Sequence, residues 1–249
     1  MTEQDVITKV EGKIMWIIFN RPTKRNAIKS TSYPVIFAAL NEADNNESVV
    51  LTVFTGTGDF FSSGNDFTSS TEGSDGYFHK FISMLIDHKK PLVALVNGPA
   101  VGMAVSMLGL FELVLCSDKA YFWTPFVSLG LCPEGCSSLT FPQIMGYSKA
   151  CEMLMFGQSI SAQEAFQYGL VNRVYPNAEF LKSATAFVKS LTHFPKSSLL
   201  AAKRLLKMDK TDDLHKANLR EKAELSARFS SAETKRLLAE KFGRKKSKL

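Results

Sequence analysis

Pro91–Leu110 reads PLVALVNGPAVGMAVSMLGL. The unbroken apolar run Leu92–Val96 has the composition of a buried strand, and Asn97-Gly98-Pro99 ends it with a turn. Small and apolar residues from Val101 to Leu110 then predict a buried helix. The first turn of a helix carries backbone N–H groups with no partner inside the helix, and the peptide dipoles make that end positive. Gly98, Ala100 and Gly102 leave room for close approach to this backbone. The stretch therefore offers main-chain donors to an oxygen that is gaining negative charge. It also suits an ordinary glycine-containing turn between core elements, and the stretch alone does not separate the two readings.

The flanking sequence extends the strand–helix pattern. Lys13–Phe19 is a nearly all-apolar run closed by Asn20-Arg21-Pro22, and Val49–Thr55 is a β-branched run closed by Gly56-Thr57-Gly58. Between them, Val35, Ile36, Ala39, Leu40 and Ala43 recur at helical spacing within Ser30–Ala43. Thr68–Gly76 reads as a mobile Ser/Thr/Gly loop, and Tyr77–Asp87 as an amphipathic helix. Leu113–Cys116 and Ala120–Thr124 are expected strands, Leu129–Ser138 a loop entering a helix, and Lys149–Phe156 a helix. Ser161-Ala162-Gln163-Glu164 forms a capping box, and a second is expected at Ser230–Glu233. Gly169-Leu170-Val171 is expected to end one helix and begin a strand, after which the chain reads as helical from Asn177 onward. The order predicts an α/β core over residues 1–194 and a helical C-terminal region over 195–249, with Phe194-Pro195 at the boundary.

Composition limits the functional classes. The 249 residues are 45% hydrophobic and 22% charged, ordinary for a globular protein with a sizeable core. No stretch combines the length and hydropathy of a membrane span; Glu112 and nearby glycines interrupt the strongest candidate. The N-terminus lacks the apolar core and cleavage site of a secretory signal. Cys116, Cys132, Cys136 and Cys151 lack metal-site spacing and fit reduced thiols, and no metal is expected. The net charge of +6 gathers near the C-terminus, without the aromatic–basic pattern of a nucleic-acid surface. The final Ser247-Lys248-Leu249 matches a peroxisomal address read by an import receptor, which predicts the peroxisomal matrix.

Three stretches together carry a family resemblance. Phe61-Ser62-Ser63-Gly64-Asn65-Asp66 resembles the F-[AS]-[AS]-G-x-D signature of the crotonase, or enoyl-CoA hydratase/isomerase, superfamily. Asn97-Gly98-Pro99-Ala100-Val101-Gly102 resembles its N-G-x-A-x-G signature, and Asn20-Arg21-Pro22 with Asn26-Ala27 its opening motif. The resemblance runs from about Val6 to the final helix. It implies an α/β spiral of ββα units, a helical C-terminal region used in trimer or hexamer formation, and an acyl-CoA thioester as ligand. By position, the backbone N–H groups of Asn65 and Met103, after Gly64 and Gly102, fall where the family holds the thioester oxygen. Ser63 falls beside the adenine, and Lys24 and Arg25 lie on the loop expected near the CoA phosphates, where they are equally readable as solvated charges.

Departures from the family pattern narrow the chemistry. Family hydratases use two glutamates, and the matching positions here are Ser106 and Phe126. Neither side chain activates water as a carboxylate does. Glu134, in Leu131-Cys132-Pro133-Glu134-Gly135-Cys136, lies in a segment similar to the catalytic loop of peroxisomal Δ3,Δ2-enoyl-CoA isomerases. An acid at a helix N-terminus is often only a dipole partner. In an apolar setting it is also a candidate base with a raised pKa. The resemblance thus implies a double-bond shift in a 3-enoyl-CoA by one glutamate and two backbone donors, with no cofactor beyond the substrate's own CoA. Other crotonase reactions remain alternatives, as does a non-catalytic CoA-binding module like those of chromodomain-Y-like proteins. Phe60, Phe61, Phe122, Trp123 and Phe126 are candidates for an acyl tunnel or for plain core. His79 and His88 read as surface or helix-end residues, and Asp66 as a loop-fixing acid.

Overall fold

The computed structural model describes residues 4–67 and 75–242. The chain opens with a hairpin of β1 (Val6–Glu11) and β2 (Ile14–Phe19), followed by α1 (Tyr33–Asn45), β3 (Leu51–Gly56), α2 (Asp75–Asp87) and β4 (Leu92–Val96). Then come β5 (Ala100–Val101), α3 (Met103–Ser106), β6 (Leu113–Ser117), β7 (Tyr121–Trp123), α4 (Ser137–Met145) and α5 (Tyr147–Leu154). β8 (Ile160–Ser161), α6 (Ala162–Gln167), β9 (Arg173–Tyr175) and α7 (Phe180–Leu191) follow. Among the described residues three further helices follow: α8 (Lys196–Lys207), α9 (Thr211–Ser230) and α10 (Ala232–Phe242).

The main sheet has the order β1-β2-β3-β4-β6-β9, with β1 antiparallel to β2 and every other neighbour parallel. Parallel strands buried on both faces read as continuous apolar runs, which is why β2, β3 and β4 look alike in sequence. The two-residue period sorts their side chains into two layers. Ile14, Trp16, Leu51, Val53, Val93, Leu95 and Leu115 face Phe180, Ala184 and Val188 of α7. Met15, Ile17, Phe19, Phe54, Ala94, Val96, Val114 and Cys116 join the larger core with α1, α2 and α4. A small second sheet, β5-β7-β8, stands beside the first.

Several expectations are corrected. Val101–Leu110 is not one helix: Ala100–Val101 pairs as β5, Met103–Ser106 is a single α-turn, and Met107–Leu110 is a 3-10 turn. The carbonyl of Trp123 takes the N–H of Gly102 while Val101 donates to Ser62, so strand pairing claims the first residues before a helix can start. The strand expected at Gly169–Val171 begins later, at Arg173. The hydroxyl capping α10 belongs to Ser231, which accepts from the N–H of Thr234 at 3.2 Å; that of Ser230 turns back to the carbonyl of Ser226. His88 is 2% exposed, wedged between Thr52 and Asp44, and is not a surface residue. The strand β1 was missed because four of its six residues are exposed and mostly polar. Asp75 and Gly76 open α2 instead of closing the expected loop, and Thr68–Ser74 lie outside the described residues, as do Ser247, Lys248 and Leu249.

Gly98 shows how tightly the turn after β4 is packed. A Cβ built there would stand 1.9 Å from the carbonyl oxygen of Asp59, a backbone atom with no side-chain rotation to relieve it. Gly98→Ala is therefore expected to lower the unfolding free energy by about 1–3 kcal/mol. Gly76→Ala, in a helix and with open space around the added carbon, is expected to be neutral or stabilising. Urea denaturation of both variants checks the contrast.

Candidate active site

Parallel strands deliver their following loops to one edge of the sheet, the usual place for a ligand in an α/β protein. Here the loop after β3 and the loop after β4 run side by side. Ser62 and Ala100 form a parallel bridge, with Phe61 N–H donating to Pro99 and Val101 N–H to Ser62. Asn97 locks the pair from behind: its Oδ1 accepts from Gly56 N–H at 3.0 Å, and its Nδ2 donates to Gly58 and Phe60. Asn26 does the same from the first loop, donating to Thr57 and Phe60 and accepting from Arg21 N–H. A further bridge, Ile28 to Asn65, holds the far end.

This pairing brings Gly64 against Val101 and Met103. A Cβ on Gly64 would lie 2.8 Å from the Val101 carbonyl and 3.6 Å from Met103 N, and the φ of +86° excludes most side chains independently. Among the described residues, neither Asn65 N–H nor Met103 N–H donates a hydrogen bond within the chain. Both residues line one cavity of about 280 Å³. Its apolar wall includes Val101, Pro125, Phe126, Leu129 and Leu131.

Glu134 lines the same cavity. It sits on the loop before α4, where Gly135 and Cys136 both adopt left-handed backbone (φ +68° and +64°) and turn the chain sharply. Gly135 is required by contact as well, since a Cβ would meet Ser106 Oγ at 2.7 Å. Burial in this apolar pocket, with the Glu221 carboxylate nearby, pushes the Glu134 carboxyl up to about 8. Asp66 is the other acid lining the cavity, and Arg21 holds its Oδ2 at 3.0 Å. Two polarised donors and one acid of high proton affinity thus face one apolar chamber. That arrangement suits moving a proton next to a carbonyl.

The remaining sequence candidates divide. Ser63, Gly64, Gly102, Phe126 and Arg25 line the cavity, and the Arg25 guanidinium lies 5.3 Å from the centre of the Phe60 ring. Lys24 is exposed on the short turn Pro22–Lys24 and does not reach the cavity wall. Ser106 is fully buried behind Gly135, its hydroxyl directed at the Met103 carbonyl at 3.3 Å. His79 faces Asn218 on α9 and lies outside the cavity. The four cysteines are free thiols, and burial pushes Cys116, Cys132 and Cys136 up to about 12. No cluster of three or more His, Cys, Asp or Glu side chains suited to a metal occurs among the described residues.

Sequence reasoning missed four contributors. Lys241 and Phe242 of α10 line the cavity; Lys241 Nζ lies 5.5 Å from the Trp123 ring, and Phe242 packs on Phe67. The Tyr33 hydroxyl, buried on α1, donates to Asn65 Oδ1. Glu221 is the fourth. Its signal was available: Leu214, Ala217, Asn218, Glu221 and Leu225 share the buried stripe of α9, and an acid on such a stripe needs partners.

Comparison with known proteins agrees with this geometry. The model of the enoyl-CoA hydratase/isomerase family matches residues 9–246. Enoyl-CoA delta isomerase 2 of Rattus norvegicus is 44% identical over 238 residues, covering 92% of this chain and 61% of the rat protein. The peroxisomal enoyl-CoA delta isomerase 3 of Mus musculus is 40% identical over 99% of this chain and 81% of its own length. The structure of Pseudomonas aeruginosa OdaA aligns with a TM-score of 0.89 at 32% identity, covering 97% of this chain and 100% of OdaA. This chain spans about three fifths of the length of the rat relative. Its strand order, its paired glycine loops and these similarities lead to one conclusion: the chain belongs to the enoyl-CoA hydratase/isomerase family and has the crotonase fold.

Proposed function

We propose that this chain is an enoyl-CoA isomerase that moves the double bond of a 3-cis- or 3-trans-enoyl-CoA to the 2-trans position, with Glu134 as its base. The observation that carries the proposal is the placement of a proton-avid carboxyl in the same apolar cavity as the N–H groups of Asn65 and Met103. Relatives named enoyl-CoA delta isomerase, 40% and 44% identical, support it. Hydration is disfavoured because Ser106 and Phe126 stand at the two positions that match the glutamates of family hydratases.

In this reading the thioester carbonyl accepts from both N–H groups. The Glu134 carboxylate removes a proton from C2, and the electrons pass through the C2–C1 bond onto the thioester oxygen. The resulting dienolate is planar, so C2 and C4 present the same face to one side chain. Protonated Glu134 returns the proton to C4, and the electron pair closes the new double bond between C2 and C3. Atoms and charge balance with no additional reactant. Each preorganised backbone donor contributes about 3 kcal/mol in comparable sites. A carboxyl of raised pKa is better matched to a carbon acid than an ordinary glutamate. Arg25 and Lys241, the cations on the cavity wall, are the groups we assign to the CoA phosphates.

We further assign the peroxisomal matrix as the site of action, within fatty-acid β-oxidation. Ser247-Lys248-Leu249 and the peroxisomal relative at 40% identity support this. A homotrimer, or a pair of them, is the assembly we infer. The strongly exposed Leu205, Leu206, Met208 and Leu219 of the helical region supply apolar surface for it.

Glu134→Gln is expected to lower kcat on trans-3-enoyl-CoA by about 10²–10⁴-fold with little change in CoA-ester affinity. Turnover near wild type would remove Glu134 from the mechanism. The same variant tests the electrostatics without substrate. A carboxyl whose folded pKa lies above its unfolded value of 4.5 withdraws stability as pH rises from 4.5 through about 8. Glu134→Gln should therefore match wild type in thermal stability near pH 5 and exceed it at pH 9, by about 1–4 kcal/mol. A fluorescent protein fused ahead of Met1 is expected in peroxisomes and, after deletion of Ser247–Leu249, in the cytosol.

A further inference from the structure

We infer that Glu221, reaching across from α9, is the positioning residue of this site: its carboxylate grips the turn that carries Glu134 and holds that side chain in the cavity. The inference rests on the reading of Glu134 as the base. Glu221 is only 5% exposed, and both of its oxygens are used. Oε2 accepts from Cys136 N–H at 2.7 Å and Oε1 from Ser138 N–H at 2.9 Å. These donors are the second and fourth residues after Glu134, so the grip spans the bend itself.

The bend does not hold this shape without help. Gly135 and Cys136 are consecutive left-handed residues, and for Cys136, which has a Cβ, that conformation is uphill. In this bend the Ser137 N–H donates back to the Glu134 carbonyl, while the N–H groups of Cys136 and Ser138 on either side of it both point to Glu221. Glu221 supplies its carboxylate from a separate helix. An ionised carboxylate accepts at both oxygens, whereas an amide accepts at one and presents its own N–H to the other donor. Charge and shape are therefore both required at this position.

The same charge acts on Glu134. Its proximity adds to burial in raising the Glu134 pKa. The other titratable and charged groups around the pair are Tyr33 on α1, Cys132 and Cys136 on the loop, Arg220 and Glu224 on α9, and Lys207 at the end of α8. His79 on α2 faces Asn218, one turn before Glu221. Burial keeps Tyr33 and both thiols protonated well past neutrality and holds His79 below its ordinary range. Their protonation is therefore constant from pH 7 to 10 for the tyrosine and thiols, and His79 is neutral throughout.

The test is the pH profile of kcat/KM on trans-3-enoyl-CoA for wild type, Glu221→Gln and Glu134→Gln, each as the full chain. Wild type is expected to rise with pH to a plateau above about 8. Glu221→Gln should reach half-maximum at least one pH unit lower and plateau 10–100-fold lower in kcat, with KM within threefold. A role in packing alone would lower the folded fraction without moving the midpoint. Glu221→Gln with the wild-type midpoint and plateau overturns the inference, provided Glu134→Gln is inactive. Glu134→Gln as active as wild type overturns the reading of Glu134 and this inference with it. A fold-independent check uses wild-type protein with 13C-labelled glutamate carboxyls. One buried carboxyl, absent from Glu134→Gln, should titrate near pH 8 and shift to lower pH in Glu221→Gln. A Glu134 titration unmoved in Glu221→Gln would also overturn it.

Discussion

The parallel bridge between Ser62 and Ala100 is the contact on which the cavity depends. Two loops leave neighbouring strands of the sheet, and left to themselves they would diverge. The bridge, the Asn97 and Asn26 side chains and the missing side chains of Gly64 and Gly98 force them into contact. Two peptide N–H groups are left at the same cavity with no partner among the described residues. A buried donor without an acceptor costs about 1–3 kcal/mol. In the proposed reaction the thioester oxygen is the acceptor that both groups lack among the described residues.

Two carboxylates shape the other side of the chamber and divide the labour by environment. Burial raises the Glu221 carboxyl above its ordinary value, and backbone donors on both oxygens work against that rise. Glu134 has an apolar wall and a charged acid for a neighbour, the surroundings that keep one protonated. Chemically identical side chains thus differ by where their helices and loops come to rest. The arrangement also ties the loop before α4 to the helical C-terminal region, so site geometry depends on packing between segments far apart in sequence.

Much of this was legible from the residues. Strands β2, β3 and β4 are largely apolar because both faces are covered, and they end at the turns Asn20-Arg21-Pro22, Gly56-Thr57-Gly58 and Asn97-Gly98-Pro99. Gly102 stood out at the turn into the expected helix, and Gly64 and Glu134 through the resemblance of their segments to crotonase motifs. What escaped were features decided by long-range packing. β1 presents mostly polar residues, since it is an edge strand with one wet face. The helix expected from Val101 is interrupted because pairing with Ser62 and Trp123 outcompetes local propensity. Lys241 looked like part of a basic tail until α10 folded back onto Trp123. Glu221 was hidden in a run of charges, although its spacing from Leu214 and Leu225 placed it on the buried stripe.

The return of α9 and α10 to the cavity also fixes a chronology. The donors at Asn65 and Met103, with most of the sheet that carries them, leave the ribosome before Glu221, Lys241 and Phe242. A nascent chain can therefore build a sheet before it owns a closed chamber. Until α9 and α10 dock, its glycine loops stand open to water, and closure of the cavity waits on the two helices that come after the sheet.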